Sequence, residues 1–300
     1  MQRDVTPASR PLDAAVAAFV VALCLSWGFN QVAIKLALPD IPPFIQAAFR
    51  STVGALIVIV WARARGVRLM DADGTLVPGI VAGLLFALEF ILIFRGLLWT
   101  DASRASLFIY TAPFFVVIGS RWLIPGDHFD RWQWLGLILS FAGIAVAFGL
   151  PAASADTRAV VGDLMLLGAG AAWGATTLVI KASRLARASY EKTLFYQLIV
   201  SAPLLALGAH LADERLAAPP SALAAGSLLY QTFWVVGFTY LAWFALILRY
   251  SASRLSAFTF LTPLFGIAAG HLVLGEPLTP AFAAAAVLIV VGLVLVNRPR

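Results

Sequence analysis

The chain predicts an all-α polytopic membrane protein, with ten transmembrane helices arranged as two inverted-topology five-helix repeats and both termini cytoplasmic. Three observations lead there: an apolar composition, ten apolar runs, and motifs that recur half a chain apart. Of the 300 residues, 61% are hydrophobic and 12% charged, with a mean hydropathy of +0.92. A soluble domain is about 45–50% apolar and about 25% charged, so no water-soluble packing hides this surface. An outer-membrane barrel alternates apolar and polar residues, whereas these runs stay apolar for about twenty, the length that crosses a bilayer as a helix.

Breaking the chain at Pro, Gly and charge clusters places the spans at Leu12–Ala37, Pro43–Trp61, Leu76–Leu98, Ala102–Ile124 and Trp132–Gly149, then Val160–Ala182, Tyr190–Ala209, Leu223–Tyr250, Ser253–Leu274 and Pro280–Val296. The first run is too long for a signal-peptide core and lacks a small-residue cleavage pattern, so it reads as a retained helix. Residues 151–159 read as a linker between a first unit, 1–150, and a second, 160–300.

Charge sets the orientation. With the N-terminus inside, the cytoplasmic ends collect Arg3, Arg10, Arg63, Arg65, Arg68, Arg121, Arg131, Lys181, Arg184, Arg187, Lys192, Arg249, Arg254, Arg298 and Arg300. The outer ends hold only Lys35, Arg95, Arg104, Arg158 and Arg215. That asymmetry satisfies the positive-inside rule and explains the net charge of +6 without nucleic acid. Cys24 is the single cysteine, so no intrachain disulfide or cysteine metal cluster forms.

The motifs then repeat. SWGFNQVAIK (Ser26–Lys35) recurs as AWGATTLVIK (Ala172–Lys181), 146 residues on. Ser103–Phe108 with Pro113 matches Ser253–Phe258 with Pro263, 150 residues on. Each unit holds an odd number of helices, so the second enters the bilayer upside down, with a pseudo-two-fold axis in the membrane plane. At about 1.5 Å rise per residue, Trp27, Trp173, Pro113 and Pro263 all lie near the bilayer centre.

These residues resemble the EamA-type transporters of the drug/metabolite transporter superfamily. The likeness rests on WGFNQVAIK (Trp27–Lys35), Pro42-Pro43-Phe44, Ala48-Phe49-Arg50, Ser253 and Ala257, Thr262-Pro263, and the closing LGEPLTPAFAAAAVLIVVGLVLVNR from Leu274. Pro125-Gly126-Asp127 departs from it, standing where the first repeat usually carries a Gly-Glu pair like Gly275-Glu276. The resemblance implies a bacterial inner-membrane carrier that exports a small metabolite, with the aromatic amino-acid exporters as the nearest branch. An exporter of another small metabolite or drug, of sugar, nucleotide or purine type, or a channel, is the alternative. No cofactor and no nucleic-acid partner is expected; the partners are a small-molecule substrate and the bilayer.

A carrier needs a midplane site with discontinuous helices. Pro113 and Pro263 remove the helical partners of the Ile109 and Thr259 carbonyls, which marks both as hinges. Deep aromatics offer ring faces to an apolar or cationic guest, so Trp27, Trp173, Tyr110, Tyr240 and Trp243 are cavity candidates. Phe86, Phe90 and Phe94 form a helical stripe beside them. Arg50 and Glu89 are charges inside spans, which face a bundle interior or water. Arg50 suits a substrate carboxylate; Glu89 suits an amino group or a coupling proton. Alternatively they brace helices, with each other or with Asn30 and Gln31. Asn30, Gln31 and Thr177 complete the cavity set. Lys35, Lys181 and Arg95 read as snorkelling end residues, His271 as structural, and Gly79/Gly83, Gly170/Gly174 and Gly266/Gly270 as packing pairs. The expected cavity is lined by the first, third, fourth, sixth, eighth and ninth spans, with the fifth and tenth peripheral.

Enzyme and pump chemistry find no support. There is no Gly-Lys pair for a phosphate loop, no Gly-x-Ser-x-Gly, and His128, His210 and His271 are isolated.

Overall fold

The computed structural model describes residues 12–96, 99, 108–126, 129–148, 157–275 and 280–298, apart from the side chains of Gln31, Phe148 and Leu274. Among these residues the chain is helical and holds no strand. The helices are α1 (Ala14–Ala37), α2 (Pro43–Ala64), α3 (Leu76–Gly96), α4 (Ala112–Leu123) and α5 (Arg131–Phe148). They continue as α6 (Thr157–Ala182), α7 (Tyr190–Leu211), α8 (Ala222–Arg249), α9 (Ala252–Phe258 and Leu261–Leu274) and α10 (Pro280–Asn297). All but α4 and α5 are long and apolar enough to cross a membrane, and those two are shorter apolar helices. The part of the fourth span before residue 108 lies outside the described residues, as do Ser103–Leu107, Asp127 and Glu276.

Helix starts follow the local sequence. Asp13, Ser189, Ser221 and Ser251 each accept a backbone N–H from the first turn they precede. Pro43 opens α2, where a missing N–H costs nothing. Gly275 ends α9 in the left-handed region, at φ 70°.

The helix pairings have an exchange property. The main contacts are α5 with α10, α3 with α6 and α7, α2 with α7 and α8, α1 with α8 and α9, and α4 with α6. Swapping each helix for its counterpart five places along turns α1–α9 into α6–α4, α3–α6 into α8–α1, and α3–α7 into α8–α2. The α2–α7 and α5–α10 contacts map onto themselves. The set is closed.

Individual residues obey the same exchange. A Cβ added at Gly28 would come within 2.6 Å of Phe265 Cβ. One added at Gly174, 146 residues later, would come within 2.7 Å of Phe115 Cβ, 150 residues earlier. Bare Cα atoms let α1 lie on α9, and α6 on α4, at backbone distance. The α2–α7 crossing carries Ser201 Oγ donating to Ser51 Oγ at 3.0 Å.

Both proline helices are interrupted just ahead of the ring, the break ending two residues before Pro113 and three before Pro263. The α-helix stops at Ile109 and restarts at Ala112, and stops at Phe258 and restarts at Leu261. Tight i→i+3 turns close the gaps. Thr111 N–H reaches the Phe108 carbonyl at 3.2 Å and Thr262 N–H the Thr259 carbonyl at 3.0 Å. The sequence leaves the Thr259 carbonyl without a helical partner; here that turn supplies one. The Ile109 carbonyl lies against Gly170. A second irregularity carries no proline: residues Tyr230–Tyr240 of α8 are π-helical, a wider winding frequent at functional sites.

Loops tie the ends together. Asp40 accepts the Ser221 N–H at 2.8 Å, and Glu214 accepts the Ile45 N–H at 3.0 Å, so each loop caps a helix from the other half. The Ser221 hydrogen bonds hold the Asp40 carboxyl below the usual carboxylate range, whereas burial pushes Glu214 up. At the opposite end Lys192 Nζ, buried, pairs with Asp73 at 2.8 Å. That hydrogen bond, with the one from Thr75, holds Asp73 well below its ordinary value.

Candidate functional site

Near the middle of the bundle the chain buries polar and aromatic side chains that no helix requires locally. Arg50, on α2, is 4% exposed. Its Nη2 donates to Tyr240 Oη across a long 3.4 Å, and its guanidinium carbon lies 5.9 Å from the Phe90 ring centroid. Its Nε is buried and has no hydrogen-bond partner. A buried donor left unmade costs about 1–3 kcal/mol, so Arg50 is held with unspent bonding capacity.

Around it, aromatic edges meet. Tyr240 packs edge-on to Phe86 and to Trp27, each with ring centroids 6.4 Å apart, and Phe86 meets Phe90 at 5.0 Å. Trp27 also meets Trp243 at 5.1 Å, and its Nε1–H donates to Thr239 Oγ1 at 2.8 Å. The Thr239 hydroxyl in turn donates to the Val235 carbonyl at 2.6 Å. Thr239 and Tyr240 both belong to the π-helical stretch, which turns one toward Trp27 and the other toward Arg50.

Tyr110, beside the interruption of the fourth span, stands edge-on to Trp173 at 6.0 Å. Its polar neighbours are Cys24, Thr262, Tyr240 and Glu89. Glu89 is 9% exposed and close enough to Tyr110 and Tyr240 for its charge to act on both; no ion pair joins it to Arg50 within 4 Å among the described residues. The bracing alternative of an Arg50–Glu89 pair is therefore not what this geometry holds, and Arg50 meets Tyr240 instead.

Other candidates stand apart. Thr177 is buried, but its hydroxyl donates to the Trp173 carbonyl of its own helix at 3.3 Å. Asn30 is buried with Oδ1 lacking a partner. The Gln31 side chain lies outside the described residues. Pro113 and Pro263 flank the interruptions described above. Phe90, Thr239, Thr262 and Cys24 belong to the cluster and were not among the sequence candidates; the phenylalanine stripe signalled the first alone.

The space these groups enclose is small. The pocket beside Arg50 holds about 10 Å³, room for roughly one water. Its walls come from α2, α3, α7 and α8, including Ala47, Ser51, Phe86, Leu198 and Val236. The sequence pointed to the first, third, fourth, sixth, eighth and ninth spans; at this pocket α2 and α7 replace four of them. The α5–α10 pair contributes no wall. Among the described residues no group of three or more His, Cys, Asp or Glu is arranged to hold a metal.

Comparison with known proteins places this architecture. The EamA-like transporter family matches residues 14–149 and again residues 160–298. The chain belongs to that family. It is therefore a multi-pass membrane protein of the drug/metabolite transporter superfamily, and the family points to a transporter rather than an enzyme. It is similar to the uncharacterized transporter YvbV of Bacillus subtilis, 30% identical over 275 residues, covering 92% of this chain and 89% of that one. It is also similar to a protein of Salmonella typhimurium named "probable amino-acid metabolite efflux pump", 28% identical over 283 residues, covering 89% of each. A solved crystal structure matches with a TM-score of 0.78 over 94% of this chain and 96% of that one, at 22% identity. That likeness shows the fold.

Proposed function

We propose that this EamA-family protein is a secondary transporter that exports small metabolites across the bacterial inner membrane, with amino acids, and aromatic ones in particular, as the favoured class. In this reading residues 1–150 and 160–300 are inverted repeats of ten spans in all, both termini are cytoplasmic, and alternating access works at the midplane between them. The closed set of helix exchanges and the mated contacts Gly28–Phe265 and Gly174–Phe115 support a two-fold repeat, and an odd number of helices in each unit makes that repeat inverted.

The observation that carries the substrate class is Arg50: a buried guanidinium with an unpartnered Nε, roofed by Tyr240, Phe86 and Phe90. A planar fork of donors matches a carboxylate, and the surrounding rings match an apolar or aromatic side chain. Glu89, a second buried charge close enough to act on Tyr110 and Tyr240, suits the ammonium group. A pocket of about 10 Å³ cannot hold such a guest, since ligand sites run to about 300 Å³ or more. The state seen here is thus collapsed around the site, and binding requires the walls to part. The name carried by the Salmonella relative favours the same class.

The test is counterflow in proteoliposomes with a panel of aromatic and other amino acids, sugars and nucleotides. Saturable exchange of amino acids is expected. A charge-assisted hydrogen bond is worth about 1.5–3 kcal/mol, so Arg50→Gln should weaken amino-acid recognition about ten- to hundredfold. The matching decarboxylated amines should be unaffected. Equal loss for acid and amine would remove Arg50 from carboxylate recognition, and counterflow with sugars alone would overturn the class.

A further inference from the structure

A much larger opening lies away from Arg50. A cleft of about 770 Å³ is set between the start of α3, the end of α4, and the end of α6 with the short 3₁₀ turn Arg184–Arg187. Two kinds of surface meet in it. One wall is apolar and exposed: Val77 at 71%, Val81 at 39% and Leu123 at 53%. The rim is basic, formed by Lys181, Arg184 and Arg187, and among the described residues that line the cleft none is a carboxylate.

The apolar wall does not stop at the cleft. On α3, Val77 and Val81 continue through Ile80 and Leu84 to Leu88, all exposed, at helical spacing. In a membrane protein such a stripe faces acyl chains. The basic residues sit where these helices end, at the level of a headgroup. The rim is also held in place: Lys181 Nζ donates to the Tyr250 carbonyl at 2.8 Å, and Arg184 Nη1 to the Asp73 carbonyl at 3.4 Å.

We propose that this cleft binds an anionic phospholipid from the adjoining leaflet, its phosphate against Arg184, Arg187 and Lys181 and its acyl chains along the α3 stripe. Charge complementarity selects an anionic headgroup over a zwitterionic one, because each basic residue near a membrane surface adds about 1 kcal/mol toward acidic lipid. Continuity with the exposed α3 face selects a lipid over a soluble anion, which would leave Val77, Val81 and Leu123 uncovered. The inference requires only that the chain spans a membrane, and stands apart from what it carries.

The full-length protein is placed in nanodiscs of phosphatidylcholine with or without phosphatidylglycerol, extracted, and analysed by native mass spectrometry for retained lipid. Retained phosphatidylglycerol is expected, with little phosphatidylcholine. Removing two charges with Arg184→Gln/Arg187→Gln should weaken retention about thirtyfold, and Arg184→Lys/Arg187→Lys should keep most of it. Circular dichroism checks folding, and the single Arg184→Gln serves if the double variant fails to fold. Equal retention of both lipids, undiminished retention in the Gln variants, or displacement by soluble glycerol phosphate or by a transported substrate would overturn the proposal.

Discussion

The two interrupted helices are the same joint built twice, and each is covered differently. At the break in α9 the Cys24 thiol of α1 donates to the Phe258 carbonyl at 3.4 Å. At the break in the fourth span the equivalent carbonyl, Phe108, faces Gly170 of α6, where an added Cβ would stand 3.0 Å away. Cys24 and Gly170 are themselves 146 residues apart, the spacing of the Trp-Gly motifs. One joint is covered by a weak thiol donor from another helix; at the other the Thr111 hydroxyl of the same helix donates to the Phe108 carbonyl at 2.6 Å and the bare backbone of Gly170 packs over it. The geometry of the repeat has been kept while the chemistry covering it has diverged, so the two joints should resist change unequally.

Substitutions that add one carbon probe this directly. Replacing glycine by alanine in a helix gains about 1 kcal/mol in propensity, while overpacking costs about 1–3 kcal/mol; the neighbour decides the sign. Gly28→Ala should do most harm, since its Cβ would meet Phe265 Cβ at 2.6 Å, Gly266 N at 2.7 Å and Phe265 C at 2.8 Å. Two of those atoms are backbone, which cannot swing aside. A net loss of about 2 kcal/mol is expected, read as a lower unfolding midpoint in detergent; an unchanged midpoint would mean that α1 and α9 separate freely.

Gly170→Ala comes next, with Thr111 Oγ1 at 2.8 Å and the Ile109 carbonyl at 2.9 Å. About 1 kcal/mol of lost stability is expected, together with slower counterflow if the break moves during transport. Wild-type flux in a stable Gly170→Ala protein would separate the break from the transport cycle. Gly174→Ala, whose new Cβ would stand 2.7 Å from Phe115 Cβ, an atom tied to the backbone that cannot swing aside, should likewise cost about 1 kcal/mol after the gain in propensity. Smallest is Cys24→Ala, which gives up a weak thiol donor and little volume, for about 1 kcal/mol or less. Were Cys24→Ala to cost more than Gly170→Ala, the ranking of the two joints would be reversed.

Much of the scaffold is readable from the residues because bilayer chemistry leaves few choices. Apolar runs mark helices, Trp27-Gly28 and Trp173-Gly174 mark the repeat, and Pro113 and Pro263 mark interruptions, since a ring without an N–H cannot continue the ladder. Arg50 and Glu89 stand out because charge in an apolar run is costly. What composition does not encode is how side chains spend their bonds after packing. Thr177 reads as a cavity residue but satisfies itself on its own helix. Thr239 reads as filler yet holds the Trp27 indole. The α2 and α7 walls, with Ser51, Leu198 and Val236 closing on Arg50, depend on which helices cross, and that is a tertiary fact. No Pro, Gly pair or polar signal announces the π-helical residues, because widened winding is set by neighbours.

That widened segment makes the eighth span sensitive to counting. An α-helix advances about 100° per residue, so deleting a single residue between Tyr230 and Tyr240 and restoring ordinary winding would swing everything on one side of the cut by about that angle relative to the other. Length here acts as a tuning parameter, which makes α8 the span where an indel, more than a point change, would redraw what meets the indole and the guanidinium.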